Sequence, residues 1–408
     1  MTSVALVHYA APPVVGGVES IIGSHARLMT AGGHAVRIVA GRGAPAVPDV
    51  GFRLVELMDS RHPTIEGIQG QLNAGSIPVE FDSLVGELEI QLREALGSVD
   101  VVIAHNVCSL GLNLALTAAL RRIVDAAAPP RFILWHHDLA ATSPDYRPSL
   151  HGGRPWSLLS EAWPGVVNVV VSAGRQRELA ALTGLAPDAI RVVPNGLDLD
   201  RTWRLDPRTV ALRADLERAG VSPLLLVPAR ITPRKNIELA LRVVAALRAG
   251  GRPAGMIVTG PVDPHRSSEH DYLERLLELR SSLGLDEVAR FLATEPDRAP
   301  TDQVVDQLYR LADVLFLPSR DEGFGLPLLE AAANRVPIVC ADLAVLREIA
   351  GDDATYIDPD ADPAAIARTI LDLLDVDKAG RLHRRVQEDY AWARIYATSI
   401  EPLLTTGP

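Results

Sequence analysis

The feature that most constrains the fold is a repeated alternation of short apolar runs with longer helical patterns. Such alternation is typical of β–α units on a parallel sheet. In the first half the predicted strands are 4–10, 35–41, 99–105, 131–137, 167–172 and 190–196. The pattern then restarts, with predicted strands at 223–229, 254–260, 288–294, 313–319 and 337–343. The alternation therefore predicts an α/β protein with two doubly wound parallel-sheet domains that face each other across a cleft.

The length of the chain supports the same division. Its 408 residues exceed the size of about 250–300 residues at which single hydrophobic cores stop growing. We place an amino-terminal domain at 1–200 and a carboxy-terminal domain at 201–387. The remaining segment, 388–408, carries a predicted last helix over 389–404. The sequence leaves open whether this helix packs on the second domain or crosses back to the first.

Charge and cysteine content exclude several classes of protein. A formal net charge of -11 argues against a nucleic-acid-binding protein, which needs a basic surface. It weakens the case for peripheral contact with an anionic membrane but leaves that contact open. Cys108 and Cys340 form neither a disulfide framework nor a zinc site, which fits a reducing compartment. With no targeting pattern and no transmembrane segment in the sequence, we expect a cytoplasmic protein.

A basic turn follows the first predicted strand of the second domain, in "ARITPRKNIELAL" (229–241). Arg230 lies just past the strand, and Lys235 precedes a helix predicted to begin near Ile237. A helix amino terminus already favours an anion, and two cations at the same corner suggest a diphosphate. Lys235 is one of only two lysines among the 40 basic residues, which suggests a need for a compact ammonium. The alternative is a solvated basic turn.

Two glutamates flank a glycine loop in "DEGFGLPLLE" (321–330). The glycines and proline between them rule out one continuous helix, so we predict a strand, a loop and then a helix beginning at Pro327. Glu330 is expected in or near the first helical turn and Glu322 in the loop, both bordering a crevice at the carboxyl end of a strand. A carboxylate suits a vicinal diol such as that of a ribose or hexose. The alternative for Glu330 is that it only complements the helix dipole.

Two stretches of the first half also follow predicted strands. Gly16 and Gly17 separate a strand from a helix, but the chain has neither the three-glycine dinucleotide fingerprint nor a phosphate-binding P-loop motif. His136, His137 and Asp138 stand at the end of another strand, where a loop would meet the cleft. Adjacent residues on a strand point to opposite faces, so we do not expect the two histidines to bind a metal ion.

Together these stretches resemble the retaining, nucleotide-sugar-dependent glycosyltransferases of family 4, whose GT-B fold has two facing Rossmann-like domains. The resemblance covers nearly the whole chain. It depends on the segments "GGVE" (16–19), "HD" (137–138), "VVPNGLD" (192–198), "ARITPRKN" (229–236), "SRDEGFGLPLLEAAANRVPIV" (319–339) and "LREI" (346–349). The glutamate loop and the Arg/Lys turn are highly specific, and the other segments support them.

The resemblance implies a role for each matched residue of the second domain. Arg230 and Lys235 would bind the donor diphosphate and stabilise it as the leaving group, and Glu330 would hold the nucleotide ribose. Glu322 would hold the donor sugar together with backbone amides of the glycine loop. That loop contributes Gly323, Phe324, Gly325 and Leu326.

In the first domain, Gly16 and Gly17 would close over the donor. His137 matches the cleft histidine of the family near the sugar, with His136 as the second choice. The chain departs from the family at Arg335 and Asn236, where many members have glycine. We expect Asn334 to adopt the left-handed conformation in place of that first glycine.

The resemblance thus implies transfer of a hexosyl group from a nucleoside diphosphate sugar to an acceptor hydroxyl with retention of configuration. No metal ion or other cofactor is expected, because Arg230 and Lys235 would neutralise the leaving group. The alternatives are a nucleotide-sugar epimerase or a phosphorylase with the same fold. A third alternative is a non-catalytic subunit that binds sugar nucleotides.

Acceptor contacts are expected mainly from the first domain. The loop "SPDYRPSLHGGRPW" (143–156) offers Tyr146 and Trp156 as candidates, along with Arg147, His151 and Arg154, and we add His136 and Asp138 as possible contacts. The alternative is a surface loop held in place by its aromatic residues. The lack of a basic amphipathic face favours a small soluble acceptor over a lipid. The sequence identifies neither the sugar nor the base of the donor.

Overall fold

The chain divides into two compact units in the computed structural model, which describes residues 1–261, 267–295 and 301–405. The first unit comprises Met1–Asp198 and Asp389–Pro408, and the second comprises Leu199–Glu388. Each unit has its own parallel sheet with helices on both faces. No helix in the described part of the chain combines the length and the apolar character needed to cross a bilayer.

The sheet of the first unit has the order β3-β2-β1-β4-β5-β6-β7, and its strands are parallel. Its strands are β1 Ser3–Ala10, β2 Ala35–Arg42, β3 Gly51–Leu54, β4 Val101–His105, β5 Arg131–His136, β6 Val167–Val170 and β7 Ile190–Val192. Its helices are α1 Gly17–Ala31, α2 Pro63–Asn73, α3 Phe81–Leu96, α4 Leu114–Val124 and α5 Ala173–Thr183.

The sheet of the second unit has the order β10-β9-β8-β11-β12-β13 and is also parallel. Its helices before the first strand are α6 Leu199–Trp203 and α7 Pro207–Arg218. Its strands are β8 Leu224–Val227, β9 Gly255–Val258, β10 Ala289–Phe291, β11 Val314–Leu317, β12 Ile338–Ala341 and β13 Thr355–Ile357. The remaining helices are α8 Ile237–Ala249, α9 Ser267–Ser282, α10 Asp302–Leu311, α11 Leu326–Ala333, α12 Ala344–Ala350, α13 Pro363–Val376 and α14 Lys378–Asp389.

The carboxy-terminal segment packs on the first unit. It consists of α15 Trp392–Ile395, a π-helical turn Tyr396–Ile400 and α16 Glu401–Thr405. Trp392 is buried in a core cluster that also contains Ile22 and Trp135. At the end of the segment, the ring of His34 donates to Glu401 Oε2 at 3.0 Å. The last three residues of the predicted segment 388–408 lie outside the described part of the chain.

The strands have apolar side chains on both faces because helices cover both faces of each sheet. In β1, Ala5 and Val7 belong to one core cluster, whereas Val4 and Leu6 belong to another. This alternation follows from the twofold repeat of a strand. The continuous apolar runs of the sequence are therefore buried parallel strands, and the second sheet is built in the same way.

Each sheet has one point at which the order of its strands reverses. This switch point lies between β1 and β4 in the first unit and between β8 and β11 in the second. In open α/β sheets, ligands bind beyond the carboxyl ends of the strands at such a point. The loops that leave β1, β4, β8 and β11 are therefore the places to look for functional side chains.

Candidate functional site

A buried ion pair joins the two loops at the switch point of the second unit. The loop after β8 carries Lys235 and the loop after β11 carries Glu322, and Lys235 Nζ donates to Glu322 Oε1 at 2.6 Å. Ser319 Oγ donates to the same oxygen, also at 2.6 Å. The side chains of Lys235 and Glu322 are only 10% and 6% exposed. The topology thus brings together two residues that the sequence separates by 87 positions.

Asn236 fixes the end of the lysine loop. It has a φ of 53°, which is in the left-handed region, where glycine is favoured and asparagine is the usual substitute. Its side-chain amide donates to the carbonyls of Pro318 (3.2 Å) and Pro359 (3.1 Å). The departure from the glycine of the family is thus accommodated, and the asparagine ties the lysine loop to the loop after β11.

Positive charge is in excess around Glu322. The guanidinium of Arg234 donates to the carbonyl of Asp321 at 3.1 Å and lies 4.0 Å from Glu322 Oε2. Arg230 is exposed on the same loop as Lys235, and the described residues give its guanidinium no partner. Of the three cations on the loop after β8, Lys235 and Arg234 lie within 4.0 Å of the Glu322 carboxylate, and Arg230 is the third. This positive charge can attract an anionic ligand.

Two helices begin at this switch point without a side-chain cap. These are α8, which follows Asn236, and α11, which follows Gly325. In contrast, α7, α10 and α13 of the same unit are capped by the side chains of Asp206, Thr301 and Asp362. The first N–H groups of a helix need partners from outside the helix and attract anions. The uncapped helices therefore add to the anion-binding character of this corner.

The two glycines of the glycine loop differ. Backbone conformation and packing require a glycine at 325 but not at 323. Gly325 has a φ of +98°, and a Cβ atom there would lie 2.6 Å from Leu346 Cδ2. At Gly323 a Cβ atom would meet nothing within 4 Å, so the described surroundings leave room for a ligand. Phe324 and Leu326 are 54% and 59% exposed.

Glu330 lies on α11, which begins at Leu326, one residue before the predicted start. Its Oε2 accepts a hydrogen bond of 2.5 Å from the hydroxyl of Tyr309 on α10. The helix ends in a way that the sequence did not predict. Asn334 has a φ of −93°, and Arg335 itself adopts the left-handed conformation with a φ of 59°.

The switch point of the first unit carries buried histidines in place of charges. Val7 of β1 pairs with Ala104 of β4. His8 and His105 are the next residues of these two strands, so they lie side by side near the same edge of the sheet. His8 Nδ1 donates to the carbonyl of His105 at 2.7 Å. A hydrogen bond of 3.1 Å joins His105 Nδ1 and His137 Nε2.

The tandem histidines diverge, as expected for neighbours on a strand. His137 points to His105 on β4, whereas His136 Nε2 donates to Asn168 Oδ1 on β6 at 3.0 Å. Each has a buried Nδ1 with no hydrogen-bond partner among the described residues. Asn106 Oδ1 accepts hydrogen bonds from the backbone N–H groups of His137 (2.7 Å) and Asp138 (3.1 Å) and so holds the end of β5 in place.

Burial keeps these imidazoles neutral. It lowers the pKa of His25 to about 3, that of His136 to about 4 and that of His137 to about 3, and it holds the pKa of His105 well below its usual range. We call His8, His25, His105 and His137 the histidine cluster. In residues 1–261, 267–295 and 301–405, no three His, Cys, Asp or Glu side chains are grouped to hold a metal ion.

The remaining candidates of the first unit differ in accessibility. Gly16 precedes α1, which begins at Gly17 without a side-chain cap. Asp138 pairs with Arg175 at 3.4 Å. Trp156 is 5% exposed and belongs to the hydrophobic core, against which Tyr146 is packed. These contacts support the alternative in which aromatic side chains hold the loop 143–156 in place.

Comparison with known proteins gives two family models that together match most of the chain. Residues 15–201 match the model described as Glycosyltransferase Family 4, and residues 211–390 match Glycosyl transferases group 1. The chain is 28% identical to the mannosylglucosylglycerate synthase of Thermotoga maritima, in an alignment that covers 84% of this chain and 81% of that protein.

Higher identity is confined to part of the chain. The D-inositol 3-phosphate glycosyltransferases of Saccharomonospora viridis and Nocardia farcinica are 37% and 34% identical over 48% of this chain. The alignments span 44% and 42% of the length of those proteins. The two family models, the relatives and the two Rossmann-like parallel-sheet units agree. The chain therefore belongs to glycosyltransferase family 4 and is a transferase with the GT-B fold.

Proposed function

We propose that the enzyme transfers a hexosyl unit from a nucleoside diphosphate sugar to the hydroxyl of a small polar acceptor, with retention of configuration and without a metal ion. The observation that carries the proposal is the buried Lys235–Glu322 pair beside the exposed Arg230 at the switch point. This arrangement combines a surplus of positive charge, for a diphosphate, with a carboxylate, for sugar hydroxyls.

The diphosphate is assigned to the corner between Arg230, Lys235 and the start of α8. Arginine offers a planar pair of donors, and the lysine offers a compact charge. Because Lys235 is nearly buried, its attraction for phosphate is screened less than that of a surface lysine. The uncapped N–H groups of α8 supply further donors to the same anion.

Glu322 is assigned to the donor sugar through the carboxylate oxygen that has fewer hydrogen-bond partners in the protein. Oε1 accepts hydrogen bonds from both Lys235 and Ser319, whereas the guanidinium of Arg234 lies 4.0 Å from Oε2. A carboxylate oxygen can accept two hydrogen bonds. Oε2 is therefore the atom that we expect to accept from the sugar, while the two partners of Oε1 hold the carboxylate in position.

In the proposed mechanism, the bond between the anomeric carbon and the diphosphate oxygen breaks while the acceptor oxygen attacks from the same face. The departing phosphate oxygen takes the proton of the acceptor. Because the acceptor itself attacks from the face that the diphosphate leaves, no side chain acts as nucleophile. Arg230 and Lys235 neutralise the negative charge that develops on the diphosphate. These two cations do the electrostatic work that a metal ion does in other enzymes.

The first unit is assigned to the acceptor. His136 and Asp138, at the end of β5, are the candidate acceptor contacts, whereas His137, Gly16 and Gly17 are kept as candidates for the donor. The relatives are named for glycerate and inositol 3-phosphate compounds, and these names support a small polar acceptor rather than a lipid.

The test begins with a thermal-shift screen of UDP, GDP and ADP sugars, because a bound donor raises the melting temperature. The best donor is then incubated with glycerate, glucosylglycerate or inositol 3-phosphate, with and without EDTA. Release of nucleoside diphosphate that requires an acceptor and resists EDTA supports the proposal, and NMR of the product gives its anomeric configuration.

Other outcomes identify the alternatives. Conversion of the donor without an acceptor indicates an epimerase, and turnover that requires inorganic phosphate indicates a phosphorylase. Binding of the donor without turnover on any acceptor indicates a non-catalytic subunit. An inverted product or loss of activity in EDTA would contradict the mechanism.

A further inference from the structure

We propose that Tyr309 is a positioning residue that holds Glu330 in the orientation needed to bind the ribose of the donor. The inference deepens the proposed function and rests on it, because the family resemblance implies that Glu330 holds the ribose of the same donor. Neither the sequence motifs nor the comparisons assign any role to Tyr309. Its hydroxyl reaches the site through a hydrogen bond to Glu330 Oε2.

The ring of Tyr309 is a rigid anchor. It lies near the end of α10 and is 1% exposed, in a core cluster with Leu308 and Leu328. Packing on all sides fixes the ring, so the position of the hydroxyl is also fixed. Its distance of 2.5 Å from Glu330 Oε2 is that of a short, charge-assisted hydrogen bond.

Glu330 itself is exposed on α11. An exposed glutamate has many rotamers, and a ligand that uses it must reduce that freedom on binding. The Tyr309 hydroxyl selects one orientation before any ligand arrives. It holds one carboxylate oxygen and leaves the other to accept hydrogen bonds from the two hydroxyls of a ribose.

The hydroxyl of Tyr309 acts as a donor throughout the accessible pH range. Burial, together with the hydrogen bond to Glu330, raises the pKa of Tyr309 far above neutrality. The proton therefore stays on the tyrosine, which remains the donor in this hydrogen bond.

A matched pair elsewhere in the chain separates this role from simple satisfaction of a tyrosine hydroxyl. Tyr396, in the π-helical turn of the carboxy-terminal segment, also donates its hydroxyl to a glutamate oxygen, Oε2 of Glu401. Tyr396 packs against a core cluster of the first unit. Tyr396→Phe removes the same kind of hydrogen bond without touching Glu330 or the start of α8.

The experiment compares Tyr309→Phe, Tyr396→Phe and the unchanged enzyme by calorimetric titration. The probes are whichever of UDP, GDP and ADP binds most tightly and its 2′,3′-dideoxy counterpart. We expect Tyr309→Phe to weaken binding of the ribose nucleotide about tenfold, which is typical of losing a hydrogen bond to a charged group. Binding of the dideoxy nucleotide should stay within twofold, and Tyr396→Phe should leave both affinities unchanged.

Kinetics give a second readout. Tyr309→Phe should raise the KM for the donor and leave kcat within twofold, because the ribose contact is the same in the ground state and the transition state. Equal weakening of both nucleotides, or unchanged affinity for the ribose nucleotide, would overturn the positioning role. If the unchanged enzyme binds none of the three nucleotides, the proposed function fails first and this inference fails with it.

Discussion

The switch points of the two sheets have the same topology and opposite chemistry. At both, the strand order reverses next to the first strand of the unit, and the helix that follows that strand has no side-chain cap. In the second unit the loop after β8 carries Arg230, Arg234 and Lys235, and the last two lie close to Glu322. In the first unit the neutral histidine cluster lies at the corresponding strands.

Under the proposed function, this difference adapts one fold to two kinds of ligand. A diphosphate needs fixed positive charge at the edge of a buried site, where screening is weak. Neutral hydroxyl groups need hydrogen-bonding atoms without charge, and buried imidazoles provide these because burial lowers their pKa. The topology supplies the location in both units, and the side chains decide what binds there.

The largest expected effect is that of Lys235→Ala, which removes the charged member of the second switch point. We expect kcat to fall by about 10²–10³, the usual loss when one preorganised donor to a developing charge is removed. The measurement is release of nucleoside diphosphate at saturating donor.

The same change leaves Glu322 buried without its partner, which also destabilises the protein. The double variant Lys235→Ala, Glu322→Gln is the control, because it removes both charges. We expect it to recover the melting temperature but not the activity. Turnover of the single variant within threefold of the unchanged enzyme would end the assignment of charge to this corner.

The second prediction concerns acid sensitivity of the first unit. Unfolded histidines have a pKa near about 6.5, whereas His25 and His137 titrate at about 3 and His136 at about 4 when folded. Proton binding thus favours the unfolded state, so stability is fully present above 6.5 and is lost as the pH falls toward 4. When the pH falls from 7.5 to 5.5, each buried histidine should lower the free energy of unfolding by about 1.4 kcal/mol.

Tryptophan fluorescence during urea unfolding measures this effect. Four of the five tryptophans, at 135, 156, 163 and 392, belong to the first unit. His25→Leu, which removes a buried ring with no hydrogen-bond partner among the described residues, should reduce the pH dependence by about one proton. If the free energy of unfolding of His25→Leu depended on pH as strongly as that of the unchanged protein, the interpretation would be contradicted.

One residue of the second unit should change the free energy of unfolding with pH in the opposite direction. Burial raises the pKa of Asp313 to about 6, above its unfolded value of about 3.9. Its contribution to stability is therefore fully present below the unfolded pKa and is lost as the pH rises through about 6. Asp313→Asn should remove this term and leave the histidine effect of the first unit unchanged.

A smaller effect distinguishes the tandem histidines. We expect His137→Ala to lower kcat/KM by about three- to tenfold, the value of one neutral hydrogen bond. His136→Ala should instead lower the melting temperature, because the buried Asn168 loses its partner, with less effect on kcat/KM. The opposite ranking of the two variants in kcat/KM would assign the substrate contact to His136.

The smallest effect is expected at Arg234, which is 47% exposed. Solvent screens such a charge, so Arg234→Ala should raise the KM for the donor only about two- to fivefold. Arg218→Ala is the control, since Arg218 is 75% exposed and pairs with Asp215. If Arg234→Ala reduced activity as much as Lys235→Ala, burial would not be what decides which cation contributes most to donor binding.

Much of the fold follows from local patterns in the sequence. The apolar runs of β1 and β11 are strands because both of their faces are buried, and Asn236 ends its turn in the conformation that asparagine tolerates. The edge strands β3 and β13 were missed. β3, "GFRL", is mostly exposed and has no apolar run, and β13 has only three residues, so both depend on a neighbouring strand for their conformation.

The helix end at Arg335 was also predicted wrongly. Propensity favoured Asn334 for the left-handed position, but the structure places Arg335 there. The strand β12 begins at Ile338, and the short connection to it decides where the chain must turn. Tertiary structure thus overrode a local preference of about 1 kcal/mol.

The sequence by itself determined the types of side chain at each strand end, the number of sheets and the alternation of strands and helices, because these depend on local periodicity. Only the tertiary structure decided which side chains meet: Lys235 with Glu322 and Ser319, Tyr309 with Glu330, and His8 with His105. These partners lie on different strands, helices or the loops that follow them, and their distances depend on the order of strands in the sheet. Periodicity along a single chain segment carries no information about that order.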